Sequence, residues 1–254
     1  MSPHEYQGDV PVWKLVRGHE GRAGVLARFG IDYCCGGDTP LDEACSRQGV
    51  SVEEVLRALE ENDDSRAAAD QIDWTCESMT RLADHIVSRH HAYLREVLPR
   101  LGSVLETVVA KHAEKHPNLV ELYDVYTAMW NELLDHMMKE ELVLFPFVRA
   151  LDQALRTGQA APRFHCGSVR APIHAMEDEH RSAGEALLRM RELSFGFRPP
   201  KDACNAYRVL MAGLRELESD LHLHIHKENN ILFPRAAQAE ASLDEATAKS
   251  LGTA

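Results

Sequence analysis

From about residue 75 onward, apolar residues recur at steps of three and four rather than two. Leu82, Ile86, Tyr93 and Val97 illustrate the step, which lines them up on one face of a helix. The pattern predicts four long helices, over roughly 75–98, 118–150, 170–194 and 202–232. Pro99, Pro117, Pro172 and the Pro199, Pro200 pair fall at or near their ends, where a missing N–H does least harm. No stretch alternates long enough to make a strand, so the expected class is all-α: an up-down four-helix bundle.

Upstream, residues 1–61 read as a small helical domain of short helices joined by glycine-rich turns. Ser51 and Glu54 form a capping box that opens a helix running to about Glu61. Residues 62–72 are polar and aperiodic and are expected to be a linker, with the bundle over 73–236. The Ala/Ser/Thr-rich tail, 237–254, is expected to fray.

Composition narrows the function. A net charge of −12 over 254 residues argues against nucleic acid or an anionic membrane as the main partner. The longest apolar run, 142–148, is far too short to span a bilayer, and no secretory leader is visible at the start, so a cytoplasmic location is expected. There the six cysteines stay reduced. Fourteen histidines are an excess that directs attention to metal ligands.

The most informative feature is an internal repeat. The eleven residues from His136 to Pro146 and from His224 to Pro234 both read H-x-x-K-E-x-x-[VI]-L-F-P, 88 positions apart. Each copy is preceded at a similar distance by another histidine, His91 by 45 residues and His180 by 44. Two tandem helical hairpins related by a pseudo-twofold axis close into a four-helix bundle.

A His and a Glu four apart share a helix face. If that face is buried, the pair must be neutralised or metal-bound, because an unpaired buried carboxylate is costly. A single such pair is most simply an exposed polar pair; two copies with the same trailing residues point to a dinuclear site. His136, Glu140, His180, His224 and Glu228, with one of His90 or His91, then give each metal two nitrogens and two shared carboxylates. Open positions remain for water, an oxo or hydroxo bridge, or a diatomic gas. Imidazole and carboxylate ligands with open positions favour non-haem iron, although zinc and manganese accept the same ligand types.

The remaining histidines, His85, His174, His222 and His226, are expected to face solvent or cap helices, and Glu141, Glu177 and Glu179 to be solvated. Asp220 and Glu132, each four residues before a candidate ligand, are placed to orient ligand rings. Gly184, four after His180, is either space left for a small ligand or a helix-packing glycine. The L-F-P residues are expected to pack below the site, with the prolines kinking or ending the helices. Cys34 and Cys35, beside Gly36 and Gly37, are either reactive thiols or small buried residues. Cys45, Cys76, Cys166 and Cys204 form no constellation.

The residues G-I-D-Y-C-C-G-G (30–37), H-M-M-K-E-E-x-x-L-F-P (136–146), E-x-E-H (177–180) and H-x-x-x-E-N-N-x-L-F-P-R (224–235) resemble the RIC family, the repair of iron centres proteins. The resemblance spans about residues 10–236. It implies a small Cys-Cys domain followed by a hemerythrin-like bundle, and it selects His91 over His90. The implied cofactor is two non-haem irons bridged by Glu140 and Glu228, and the implied task is restoring iron–sulfur or other iron centres damaged by nitric oxide or oxidants. Iron supply, or nitric oxide binding or reduction, is the implied means, with Cys34 and Cys35 assisting with electrons or transfer. Damaged iron–sulfur proteins are the implied partners, and a homodimer is compatible with a docking cysteine domain. The alternative is a nitric oxide or oxygen scavenger or sensor without repair. Hemerythrin carries a further histidine where this chain has Gly184, so an oxygen-carrying role fits poorly.

Overall fold

The computed structural model describes residues 8–65, 72–160, 162, 164 and 167–252. The small N-terminal domain contains α1 (Val12–Val16), α2 (Gly21–Arg28), α3 (Leu41–Gln48) and α4 (Val52–Ser65). Ser51 Oγ accepts from the Glu54 N–H at 3.1 Å, which is half of the expected box. Helix α4 runs to Ser65, into the expected linker, and Arg22 on α2 ties it down by pairing with Asp63. The rest of that linker, 66–71, lies outside the described residues, as does Cys166.

The bundle begins with α5 (Met79–His85), a π-helical turn Ile86–His91 and α6 (Ala92–His112). This first helix passes through Pro99, fourteen residues beyond its expected end at 98, because Pro99 and Arg95, whose carbonyl loses an N–H partner, both face solvent. The second comprises α7 (Asn118–Lys139), a π turn Glu140–Leu144 and α8 (Phe145–Thr157); the third is α9 (Arg170–Leu193). The fourth comprises α10 (Asn205–Lys227), a π turn Glu228–Leu232 and α11 (Phe233–Gly252). The prolines of the repeat therefore neither end nor break their helices. Each follows a π turn closed by a bond from the Phe145 or Phe233 N–H back to the Glu140 or Glu228 carbonyl, and that wider turn accommodates the ring. The tail is helical rather than frayed through Gly252, since Ala239, Glu240 and Leu243 are buried and Glu240 accepts from the Val169 N–H.

Helix α6 packs on α7 and α10, and α7 packs on α9. Two apolar layers result. One holds Leu94–Val108 of α6 with inward residues of α7, α9 and α10, and is shared with the N-terminal domain. The other holds Met79–Ile86 with inward residues of α8, α9 and α11. His91, Glu140, His180 and Glu228 fall between the layers along every helix. No helix among the described residues is long and apolar enough to cross a membrane.

The N-terminal domain rests on α10. Lys227, 1% exposed, reaches Glu20 Oε1 of that domain at 2.8 Å and lies over the Trp74 ring. Breaking a fully buried pair costs about 3–5 kcal/mol, but the Glu20 side chain is 44% exposed, so solvent shields much of it. Glu20→Gln is therefore expected to cost about 1 kcal/mol and lower the unfolding midpoint by about 2–4 °C; thermal denaturation followed by circular dichroism checks this.

Candidate metal centre

The six expected residues meet between the two apolar layers. His91, His136, Glu140, His180, His224 and Glu228 are all at most 2% exposed. They form two overlapping groups, His91 with His224 and His136 with His180, and both groups contain Glu140 and Glu228. Within each group the candidate ligand atoms lie within 4.8 Å of one another. His91 Nε2 is 3.1 Å from His224 Nε2, and His180 Nε2 is 3.0 Å from His136 Nε2. Glu228 Oε1 is 3.0 Å from His224 and its Oε2 is 3.1 Å from His180. Glu140 Oε2 and Oε1 stand 3.3 and 3.4 Å from His91 and His136 without hydrogen-bond geometry, so both oxygens are buried and unsatisfied. The two carboxylates each face both histidine pairs. The donor set suits iron.

The outer ring nitrogens decide which way the inner lone pairs point. His91 Nδ1 donates to Glu141 at 2.7 Å, His136 Nδ1 to Glu179 at 2.8 Å and His180 Nδ1 to Asn229 Oδ1 at 2.7 Å. With Nδ1 protonated, each Nε2 presents a lone pair to the centre. Glu141 and Glu179, expected to be merely solvated, are thus ring orienters. Asp220 and Glu132 are not: Asp220 bonds His90 and Glu132 accepts from Ser182. The sequence signal was their position in the repeat. Glu141 and Asn229 each follow a glutamate of the repeat, and each holds the histidine of the helix before it. Phe145 and Phe233 obey the same symmetry, stacking on His91 and His180 at 5.8 and 5.9 Å.

The symmetry breaks at one place. Glu179, just before His180, holds His136; the residue just before His91 is His90, and it cannot play that part for His224. His90 instead stacks flat on His224, with centroids 5.4 Å apart, and His224 Nδ1 is buried without a partner. His90 is itself fully enclosed, contrary to the expectation that only one of the adjacent histidines turns inward. It contacts Asp220 at 3.1 Å and Lys227 Nζ at 2.9 Å. Burial, with Lys227 beside it, pushes its pKa down to about 4, so it is neutral. His85 packs on Trp74 of the segment leading into the bundle, and His222 and His226 lie against Tyr33, because the N-terminal domain covers what would otherwise be a solvent face; His174 is exposed as expected.

The Cys34, Cys35 loop meets the bundle at this cover. Asp32 accepts from the N–H groups of Cys34, Cys35 and Gly36, and Asn230 Nδ2 donates to the Cys34 carbonyl at 3.1 Å. Gly37 is required there: a Cβ would stand 2.8 Å from Asn230 Oδ1 and from the Tyr33 carbonyl. Cys34 is buried and its thiol pKa is raised, first by the hydrogen bond to Cys35 and then by burial, whereas Cys35 is exposed. A Cβ on Gly184 would lie 3.7 Å from Cys35 Sγ, so this glycine leaves room for the cysteine loop.

Fold and donor set together define a metal-binding four-helix bundle of the histidine–glutamate kind. Residues 82–236 match the hemerythrin HHE cation binding domain, and residues 8–63 match a domain of unknown function, DUF542. The chain belongs to the hemerythrin HHE cation-binding family. It is similar to the iron-sulfur cluster repair protein YtfE of Pectobacterium carotovorum, at 37% identity over 85% of this chain and 91% of that protein. It is also similar to the probable iron-sulfur cluster repair protein of Haemophilus influenzae, at 33% identity over 85% of this chain and 91% of that one. YtfE of Escherichia coli O157:H7 matches at 33% identity over 91% of this chain and 98% of its own length.

Without a metal the centre is an acid–base cluster. Burial pulls His136 down, but the Glu140 and Glu228 carboxylates and the bond to Glu179 overrule it and hold the imidazole up at about 9. His91 is raised on the same balance, while burial and mutual repulsion are outweighed for Glu140 and Glu228, whose pKa values are lowered by the facing imidazoles. A raised histidine contributes stability below its unfolded value of 6.5 that is lost as pH rises through about 9. Metal-stripped protein is therefore expected to melt progressively lower between pH 6.5 and 9. Metal binding displaces those protons, so the metal-loaded protein should keep its midpoint across that window and bind more tightly as pH rises; melting curves of both forms at graded pH test this.

Proposed function

We propose that the chain is a di-iron stress-response protein that restores iron–sulfur or other iron centres damaged by nitric oxide or oxidants. The carrying observation is the pair of two-histidine groups sharing Glu140 and Glu228. Two irons, held by His91 and His224 on one side and His136 and His180 on the other, would satisfy the orphaned oxygens of Glu140. Bound there, iron supplies a Lewis-acidic, redox-active centre with open positions for a small ligand such as nitric oxide or oxygen. The residues of the chain hold it, fix the imidazole tautomers through Glu141, Glu179 and Asn229, and exclude water with Phe145 and Phe233. Cys34 and Cys35 assist with electrons or transfer. Damaged iron–sulfur proteins as clients are supported by the relatives named as iron-sulfur cluster repair proteins, and the cytoplasm is the location proposed with that role.

The broken symmetry at His90 bears on iron supply. The group containing His224 has one unanchored imidazole, and Lys227 brings a cation close behind it. An unanchored ring loses about 10–100-fold in metal affinity relative to one held by an outer partner. His91 and His224 would therefore hold iron more weakly than His136 and His180. Chelator competition should remove the two irons in separate phases, and His90→Glu, which supplies the missing outer carboxylate, should slow the first phase by about tenfold and merge the two. A single phase in the wild-type protein would refute the assignment.

The repair reading is tested by inactivating an iron–sulfur dehydratase with nitric oxide and adding the purified protein. Activity is expected to return with the wild-type protein and to fail with Glu140→Ala. Equal recovery with that variant, or none with wild type, overturns the reading.

A further inference from the structure

Between the N-terminal domain and helices α9 and α10 lies a cleft of about 360 Å³. Cys35 forms its floor. Its Sγ lies 3.8 Å from the His180 carbonyl and 4.0 Å from Cys34 Sγ, with Cys34 buried behind it and donating to Asp32 at 3.2 Å. Gly184 lines the bundle side, where a Cβ would be in contact with the Cys35 sulfur at 3.7 Å. The exposed side chains Arg28, on the N-terminal wall, and Arg181 and Glu185, on α9, carry the charges of the rim; Arg181 also pairs with Asp178 at 2.7 Å, an exposed pair that a ligand carboxylate can replace at little cost. Asp32 is consumed by backbone N–H groups, and Arg191 by Glu218. Leu188, 62% exposed, adds an apolar side.

A cleft of this volume takes a small molecule rather than a chain segment. Two guanidiniums and a carboxylate around an accessible sulfur complement a molecule with carboxylates and an ammonium group around a sulfur of its own. We propose that this cleft binds an amino-acid- or peptide-type low-molecular-weight thiol and its disulfide, and exchanges them with Cys35.

The exchange balances without an outside oxidant or reductant. The Cys35 thiolate attacks one sulfur of the bound disulfide, the S–S bond breaks, and the leaving thiolate takes the proton that Cys35 gave up. A mixed disulfide and one free thiol result. In reverse, a second thiol molecule attacks the mixed disulfide and returns Cys35 to its reduced form. The cleft would thus couple the cysteine loop to the thiol pool of its surroundings. This extends the part proposed for Cys34 and Cys35, and it is read by mass rather than by repair, so its failure would leave the metal centre and the repair assay untouched.

The test uses the full-length, metal-loaded protein and glutathione disulfide as probe, with cystamine, a cationic disulfide of similar chemistry, as comparison. Intact mass and peptide mapping follow the mixed disulfide against probe concentration. The adduct is expected at Cys35, at a rate that saturates with glutathione disulfide. The double variant Arg28→Gln, Arg181→Gln, at exposed positions outside both cores, should slow that reaction about tenfold without slowing the cystamine reaction, which loses two repelling cations. The metal-centre absorption band checks that the variant is folded. A strictly linear rate, or an equal effect of the double variant on both probes, would overturn the proposal.

Discussion

The fold is organised around the cost of burying Glu140 and Glu228. Two carboxylates with no solvent contact and few hydrogen bonds repel one another, and each is expensive to desolvate. Four imidazoles converge on them between two apolar layers, and those layers keep water out. The outer contacts of Glu141, Glu179 and Asn229, and the rings of Phe145 and Phe233, are arranged to present nitrogen lone pairs to that space. The six residues form a polar stratum between two apolar layers.

Much of this was readable from the repeat. A four-residue His–Glu spacing fixes a shared helix face, and its recurrence 88 residues on fixes a second hairpin, so the bundle and the six central residues follow from spacing alone except for the choice at His90 and His91. The outer partners were not readable by the same rule. Asp220 and Glu132 satisfy the helical spacing but point elsewhere, because an i–4 carboxylate on the same helix cannot reach the outer nitrogen of a ring aimed at the bundle axis. The true partners come from neighbouring helices, where spacing along one helix carries no information. Repeat-equivalent positions do carry it: Glu141 and Asn229 correspond, as do Glu179 and His90.

Local propensity misplaced the helix ends for related reasons. Pro99 halts a helix only where the orphaned carbonyl is buried, and here it faces solvent. Pro146 and Pro234 were expected to kink or end their helices, yet the π turns beginning at Glu140 and Glu228 absorb them. The tail beyond 236 has little local pattern, and its order comes from burying Ala239 and Leu243 against α8 and from Glu240 capping the start of α9. Tertiary contact decides such segments, and no single-helix periodicity displays it.

The N-terminal domain explains the histidines that spacing assigned to solvent. His222 and His226 lie on α10 away from the centre, where an isolated bundle would expose them, and Tyr33 covers both. Consecutive asparagines divide the work of joining the two parts: Asn229 turns inward to fix His180, while Asn230 turns outward to hold the Tyr33 and Cys34 carbonyls. The cysteine loop is thus fastened to the residue after one that orients a central imidazole, and Cys35 lies against the backbone of His180 itself. The loop and the centre therefore share α9 and the asparagine pair as common supports. Gly37 is the position where a Cβ would prevent that approach, while Gly184 faces the Cys35 sulfur at ordinary contact distance, so in this chain the space beside the third helix is occupied by a thiol.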